Sequence, residues 1–175
     1  MKIVCPARTL TEISRMLEGD ELIKIFADKN RLSVAVKDTV ITSRLYLGEF
    51  VKKENIFPKE FTSRVTLKKS ELIDSVERAS VVIRGDKNNL LLFDIKAGKM
   101  VVNANSDIGK IEETVAIDLQ GKELKIALNG KYLLDALKAV DGEKAKLLFN
   151  TPMAPYTVTG VDEQTNEYLM MPVKL

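Results

Sequence analysis

Residues Tyr132–Glu143 have the sequence YLLDALKAVDGE, and a stretch of the same pattern, TLTEISRMLEGD, occurs 123 positions earlier at Thr9–Asp20. Both stretches carry apolar side chains at helical spacing, with Leu10 aligned on Leu133, and both contain a late glycine that predicts the helix end. Alternating apolar residues follow each of them. The match predicts an internal repeat of a helix followed by strands, although any two helix-to-strand units share part of this pattern.

Much of the remaining chain alternates apolar and polar residues, which is typical of half-buried β-strands. A further helical period at Lys69–Arg84, with Ser70 as the expected N-cap, interrupts this alternation. The turn Lys96–Gly98 predicts a hairpin. The predicted fold class is α+β, with antiparallel sheets and helices on one face. We expect strands at 21–27, 31–36, 40–47, 63–67, 89–95, 99–104, 112–119, 124–127, 145–149, 156–161 and 168–174.

The position of the repeated helix predicts how the chain divides. The second unit begins near Ser63 and reaches its repeated helix after roughly 70 residues, whereas the first unit reaches the equivalent helix after only about eight. The segment 49–62 has few alternating positions and contains Pro58, so it is predicted to be a link. We therefore expect the back half of one domain at 1–56, a linker at 57–62 and a whole domain at 63–175.

The composition favours binding over catalysis. The chain has 175 residues, no histidine and one cysteine, which argues against imidazole bases, disulfides and thiolate metal clusters. Lysine and arginine number 27 against 25 acids, so net charge alone does not indicate nucleic-acid binding. We expect a non-catalytic, cytoplasmic protein without a cofactor. The carboxylates that catalysis would need are scattered along the sequence, at Asp118, Asp135, Asp141 and Asp162.

The closing segment Tyr168–Leu175, YLMMPVKL, resembles the C-terminal strand of the bacterial DNA polymerase III β sliding clamp family, which ends in an apolar-Pro-apolar-basic-apolar pattern. Leu128–Leu137 is similar to the family's last helix, and Glu77–Val81 to the first helix of its third domain. Asn103–Ser106 is also in family register. The resemblance covers essentially the whole chain and implies a processivity factor, a DNA-encircling ring of two protomers with three domains each. Here the first domain and half of the second would lie upstream.

The resemblance also implies a cleft between the second and third domains. In the family it takes short Gln- and Leu/Phe-containing peptides from DNA polymerase III subunits, the clamp loader and other partners. Alternate residues of the last strand are instead expected to fill the core, because strand side chains point both ways. One wall of the deeper pocket would lie upstream, so we expect half a cleft and weak affinity. The matching positions are Val51, Asn55, Ile56, Asn129, Tyr132, Pro155, Leu169, Met170, Met171, Pro172, Val173, Lys174 and Leu175.

Helices of the family face duplex DNA and hold it through loose, salt-sensitive contacts. The bases expected to face DNA here are Arg8, Arg15, Lys69, Arg78, Lys131 and Lys138. Acids share these helices, so a solvated face of mixed charge remains open. The resemblance further implies a ring contact through Val81, Val82, Glu112 and Glu113.

We expect the full-length protein to be a ring homodimer and this chain to be a monomer. A protein-interaction module without a DNA role is the alternative function.

Overall fold

The computed structural model describes residues 2–20, 22–83, 85, 89–161 and 166–174, without the side chain of Asn55. The chain forms two compact units, Met1–Ile56 and Phe57–Leu175, which we call unit 1 and unit 2. Helices and antiparallel sheets occur in both units, so the predicted α+β class is confirmed.

Unit 1 contains one long helix and a three-stranded antiparallel sheet in the order β1-β2-β3. The alternation of buried and exposed residues along β2 places Leu32, Val34 and Val36 in a small core with Ile13 of the helix. The elements are α1 Ala7–Met16, β1 Lys24–Ala27, β2 Arg31–Val36, β3 Thr39–Arg44 and the short helix α2 Lys53–Ile56.

Unit 2 contains an antiparallel eight-stranded sheet in the order β11-β10-β9-β4-β7-β6-β5-β8, and two helices that contact each other. Buried aliphatic and aromatic side chains of the sheet and of both helices share one core. The elements are β4 Ser63–Lys68, α3 Lys69–Val82, β5 Leu90–Lys96, β6 Lys99–Ser106, β7 Gly109–Gly121, β8 Leu124–Asn129, α4 Gly130–Ala139, β9 Lys144–Phe149, β10 Tyr156–Gly160 and β11 Glu167–Met170.

The predicted internal repeat is confirmed. Helices α1 and α4 have ten residues each, begin 123 positions apart, and are each followed by three antiparallel strands. The backbone hydrogen bonds repeat as well: the Tyr46 amide donates to the Val4 carbonyl at 2.9 Å, and the Val173 amide donates to the Ala127 carbonyl at 2.8 Å. Val4 and Ala127 are again 123 positions apart. The two segments therefore share a backbone arrangement and not only a helical period.

The two copies of the repeat differ in burial. Leu133 and Phe149 are fully buried in unit 2, whereas the aligned Leu10 and Phe26 of unit 1 are 52% and 63% exposed. In unit 2, α3 packs against α4 and β4 pairs with the outer edge of β9. No strand is paired with the outer edge of β1 among the described residues of unit 1. Aligned apolar residues thus have different environments because their neighbouring elements differ.

Several predicted boundaries are wrong for local reasons. Lys68, not Ser70, is the N-cap of α3, because the helix starts directly after β4 and Ser70 falls within the first turn. The expected link contains α2, and the last strand ends at Met170 rather than at 174. The predicted hairpin is confirmed, since Lys96 pairs with Lys99 across a two-residue turn. Arg84, the expected end of α3, lies outside the described residues.

Candidate functional site

Helix α4 is held at both ends by side chains. The Asn129 side-chain oxygen accepts a hydrogen bond from the Tyr132 amide at 3.0 Å, which satisfies an N–H group at the helix N-terminus. At the other end, the Tyr168 hydroxyl of β11 donates to the Ala139 carbonyl at 3.0 Å. These two contacts fix the helix and fasten strand β11 to its C-terminus.

A cavity with a volume of about 680 Å³ lies between α4 and β11, and we call it the groove. Tyr132 and Met171 are 60% and 63% exposed, so two large side chains are accessible to solvent within the groove. Met170 is half-buried, packs against the core and accepts a hydrogen bond from the buried Tyr156 hydroxyl at Sδ, 3.5 Å away. The groove is lined by Tyr132, Asp135, Ala136, Glu167, Tyr168, Leu169, Met170 and Met171.

The structure brings some of the predicted cleft residues into the groove and leaves others outside it. Those lining it are Tyr132, Leu169, Met170 and Met171. The remaining described positions in unit 2 do not line it: Asn129 caps α4, Val173 bonds to β8 through its amide, Pro155 and Pro172 are half-buried, and Lys174 is exposed.

Predicted cleft positions also occur in unit 1. Val51 and Ile56 are exposed, and Val51 lines a separate concave surface within that unit. The side chain of Asn55 and the whole of Leu175 lie outside the described residues.

The sequence prediction missed four residues of the groove. Asp135 and Ala136 follow Tyr132 by three and four positions, which places them on the same face of a helix. Glu167 precedes Leu169 by two positions, and strand residues separated by two share a face. The spacing of residues along the helix and the strand could therefore have predicted Asp135, Ala136 and Glu167. Tyr168 lines the groove because its hydroxyl fastens β11 to α4, which the spacing does not show.

Most of the bases expected to face DNA are engaged with other groups. Lys138 Nζ lies 2.7 Å from Glu77 Oε1, which joins α4 to α3, and Arg15 pairs with Glu12 at 3.1 Å. Lys69 donates from Nζ to the Val140 carbonyl at 2.6 Å.

Arg78 donates two hydrogen bonds to Glu113, from Nε at 2.9 Å and from Nη2 at 2.7 Å. These bonds hold the pKa of Glu113 below its ordinary value and raise that of Arg78. Arg8 and Lys131 are exposed and have no ion pair with a described residue.

The positions expected at a ring contact lie around the C-terminus of α3. Val81 is exposed and Val82 half-buried, and the Ser106 hydroxyl donates to the Val82 carbonyl at 2.7 Å. Ile108, in the turn between β6 and β7, is also exposed, but it is not among the positions predicted at this contact. The two acids expected at this contact lie on β7, where Glu112 is exposed and Glu113 is the partner of Arg78.

Two classes of site find no support in the part of the chain that the structure describes. No group of three or more histidine, cysteine, aspartate or glutamate side chains there could hold a metal ion. No helix in the same residues is long and apolar enough to cross a membrane.

Comparison with known proteins gives consistent matches. The family described as DNA polymerase III beta subunit, C-terminal domain, matches residues 54–174. The chain is 33% identical to the beta sliding clamp of Halalkalibacterium halodurans and 28% identical to that of Bacillus subtilis, in each case over 98% of this chain. It covers 46% and 47% of those proteins, so it spans about half the length of the curated relatives it matches.

Solved structures of DNA polymerase III beta subunits also match the whole of this chain and about half of their own length. A putative DNA polymerase III beta subunit from Eubacterium rectale matches 100% of this chain with a TM-score of 0.78 and 32% identity, over 48% of that structure. The DNA polymerase III beta chain from Streptococcus pneumoniae also matches 100% of this chain, with a TM-score of 0.81 and 28% identity, again over 48% of its length.

Proposed function

Because the chain belongs to the family formed by the C-terminal domain of the DNA polymerase III β subunit, we propose that it acts as the C-terminal part of a DNA sliding clamp that confers processivity on a replicative DNA polymerase. The family is non-catalytic, and the chain has its α+β clamp-domain fold. In this proposal unit 1 is the C-terminal half of the second clamp domain, 57–62 is a linker, and 63–175 is the third domain. The exposure of Leu10 and Phe26, whose counterparts in unit 2 are buried, supports half a domain in unit 1.

The observation that carries the proposal is the groove between α4 and β11. Exposed large apolar side chains grouped on a concave surface are typical of binding sites. Met170 and Met171 are flexible and can adapt to several partners, and Tyr132 offers an apolar ring with a polar tip. The groove therefore suits the Gln- and Leu/Phe-containing peptides of DNA polymerase III subunits, the clamp loader and related proteins. Asn129 would act by holding the helix that carries Tyr132.

Binding of a fluorescently labelled Gln-Leu-x-Leu-Phe peptide tests this function. We expect the chain to bind it, and Tyr132→Ala to weaken binding by about fivefold or more, because central aromatic side chains carry much of the energy of such sites. The matched control is Tyr46→Ala, which removes an equally exposed tyrosine of unit 1. Equal binding of a peptide with its Leu and Phe residues replaced by alanine would contradict the proposal.

Contact with duplex DNA is the second part of the proposal. Arg8 and Lys131 would supply it first, because they are exposed without an ion pair to a described residue. The other four bases could bind DNA only by exchanging their present partners for phosphates: Arg15, Lys69, Arg78 and Lys138. Such contact would be weak, independent of sequence and sensitive to salt.

Ring closure is the third part. In a full-length homodimeric ring, the surface that meets another protomer would include Val81, Val82, Glu112 and Glu113. We expect this chain by itself to be a monomer. The exposure of Val81 near the end of α3 supports this placement, because its side chain is accessible to another protomer. Sedimentation of the chain as a stable dimer would contradict the monomer expectation.

The engagement of four of the six predicted DNA-facing bases favours a second candidate, a protein-interaction module without a DNA role. The two candidates differ in one measurement. Duplex binding that falls steeply with salt and is weakened by Lys131→Ala supports the clamp, whereas peptide binding without DNA binding supports the module.

A further inference from the structure

We propose that the outer face of the unit 2 sheet binds the phosphates of a nucleic-acid duplex through a row of lysines from four strands. The outer face is the one turned away from the core of unit 2. This surface is separate from the groove and from the helix bases of the proposed function, and the inference depends on neither. The lysine row, as we call it, consists of Lys68, Lys96, Lys99 and Lys144.

The register of the strands brings the four lysines together. Lys144 of β9 lies directly opposite Lys68 of β4, and Lys96 of β5 lies directly opposite Lys99 of β6. Strand β7 runs between β4 and β6, and its small Ala116 lies opposite Lys99. The register of β4 with β7 places Lys68 on the other side of Ala116. With neighbouring strands about 4.8 Å apart, the lysine row spans roughly 19 Å of the sheet.

The lysine row faces solvent. Each member is adjacent in sequence to a buried core residue of its own strand, and successive strand residues point to opposite faces of a sheet. All four lysines are exposed. Like charges directly opposite each other on neighbouring strands are destabilising, so a bound anion would relieve both lysine pairs.

Acidic residues of the chain compensate the lysine row only in part. Asp94 lies 3.1 Å from Lys96 and 3.6 Å from Lys125, so one carboxylate serves two lysines. Glu71 lies 3.8 Å from Lys68, which is beyond hydrogen-bonding distance. Two members of the row have no ion pair with a described residue: Lys99 and Lys144.

The outer face as a whole carries an excess of positive charge. On strands β4 to β9 the outward positions hold eight bases, Arg64, Lys68, Lys96, Lys99, Lys110, Lys125, Lys144 and Lys146, and three acids, Asp94, Glu112 and Asp118. Glu123, in the turn before β8, accepts a hydrogen bond from the Ala97 amide at 3.2 Å. Helices α3 and α4 together hold four bases and four acids. Positive charge is therefore concentrated on the sheet and not on the helices.

The side chains of this face favour phosphates over a protein partner. At the outward positions of β4 to β9, all within the described residues, no aromatic side chain occurs and the only exposed large apolar one is Leu92. Protein interfaces depend on aromatic and apolar anchors, and single-stranded nucleic acids stack on aromatic rings. A duplex backbone requires only positive charge, which lysines supply without reading the base sequence.

Fluorescence anisotropy with a labelled duplex of about 20 base pairs, which is longer than the lysine row, tests the inference. The double variant Lys99→Gln, Lys144→Gln should bind it about threefold or more weakly than wild type at about 50 mM NaCl. The slope of log affinity against log salt should fall by about 1.8, because each lost phosphate contact removes about 0.9. The matched control is Lys2→Gln, Lys29→Gln, which removes two exposed lysines of unit 1 and should bind nearly as well as wild type.

The results separate this inference from the DNA contact proposed for the helices. Weaker binding by the Lys99, Lys144 variant supports the lysine row, whether or not Lys131→Ala also binds more weakly. If only Lys131→Ala loses affinity, the helices supply the contact and the inference is overturned. It is also overturned if the unit 1 control loses as much affinity as the row variant, or if wild type does not bind the duplex at low salt.

Competition with poly-glutamate distinguishes phosphates from an acidic polypeptide. A duplex carries one charge per about 1.7 Å and an extended polypeptide at most one per about 3.4 Å, so unlabelled duplex should displace the labelled one at a lower concentration of charge. Equal displacement by poly-glutamate would identify an acidic polypeptide as the partner and overturn the assignment to a duplex.

Discussion

Asn129 shows how one side chain connects local structure to the candidate site. Its oxygen accepts from the Tyr132 amide at 3.0 Å, so it both starts α4 and positions the tyrosine at the edge of the groove. The family resemblance marks Asn129 as a cleft position, and the geometry gives it a capping role. Ser70 was predicted to have the same role in α3 but does not, because β4 runs directly into that helix. Capping propensity alone does not distinguish these two positions, since the preceding strand decides where the helix starts.

Replacing Asn129 with alanine should destabilise the chain by about 1 kcal/mol, because an amide at the start of α4 loses its partner. Urea unfolding followed by circular dichroism measures this change. Asn105→Ala, at an exposed position of β6, is the control and should change stability by less than about 0.5 kcal/mol. Equal midpoints for the two variants would show that the cap does not contribute.

At the scale of elements, side-chain contacts join helices to strands that lie far apart in the sequence. Arg78 of α3 forms two hydrogen bonds with Glu113 of β7, and Tyr168 of β11 bonds to the end of α4. Apolar alternation predicted the strands well, because half-buried strands bury every second residue. It could not predict these contacts or the short α2, since they depend on which elements become neighbours.

The Arg78–Glu113 pair should make stability depend on pH. The pKa of Glu113 is lowered from 4.5 in the folded chain by its hydrogen bonds from Arg78, so its contribution is present above pH 4.5 and is lost as pH falls below that value. Glu113→Gln should therefore be less stable than wild type at pH 7, and the difference should shrink towards pH 3. Urea midpoints at pH 7, 5 and 3 measure it.

Glu112→Gln, at the exposed neighbouring position, is the control for this prediction and should follow wild type at each pH. A difference between wild type and Glu113→Gln that stays constant from pH 7 to pH 3 would contradict the role assigned to the pair.

At the scale of the whole molecule, the internal repeat was the most informative feature of the sequence. The matched stretches at 9–20 and 132–143 predicted two related helix-and-strand units, and the hydrogen bonds of Val4 and Ala127 confirm them. The repeat did not predict that Phe26 would be exposed where Phe149 is buried, because burial depends on neighbours that the pattern does not specify. The sequence identified only some of the groove residues, because the others also depend on which elements become neighbours. The family resemblance supplied Tyr132 and Met171 but not the acidic residues that line the groove with them.

An NMR titration of the whole isotope-labelled chain with the Gln-Leu-x-Leu-Phe peptide tests whether partners bind in the groove. We expect chemical-shift changes centred on Tyr132, Ala136 and Met171, and we expect them to disappear in the double variant Tyr132→Ala, Met171→Ala. Amides of unit 2 far from the groove, such as that of Asp118, should not move. Shifts centred elsewhere, or none up to millimolar peptide, would contradict the groove as the site where partners bind.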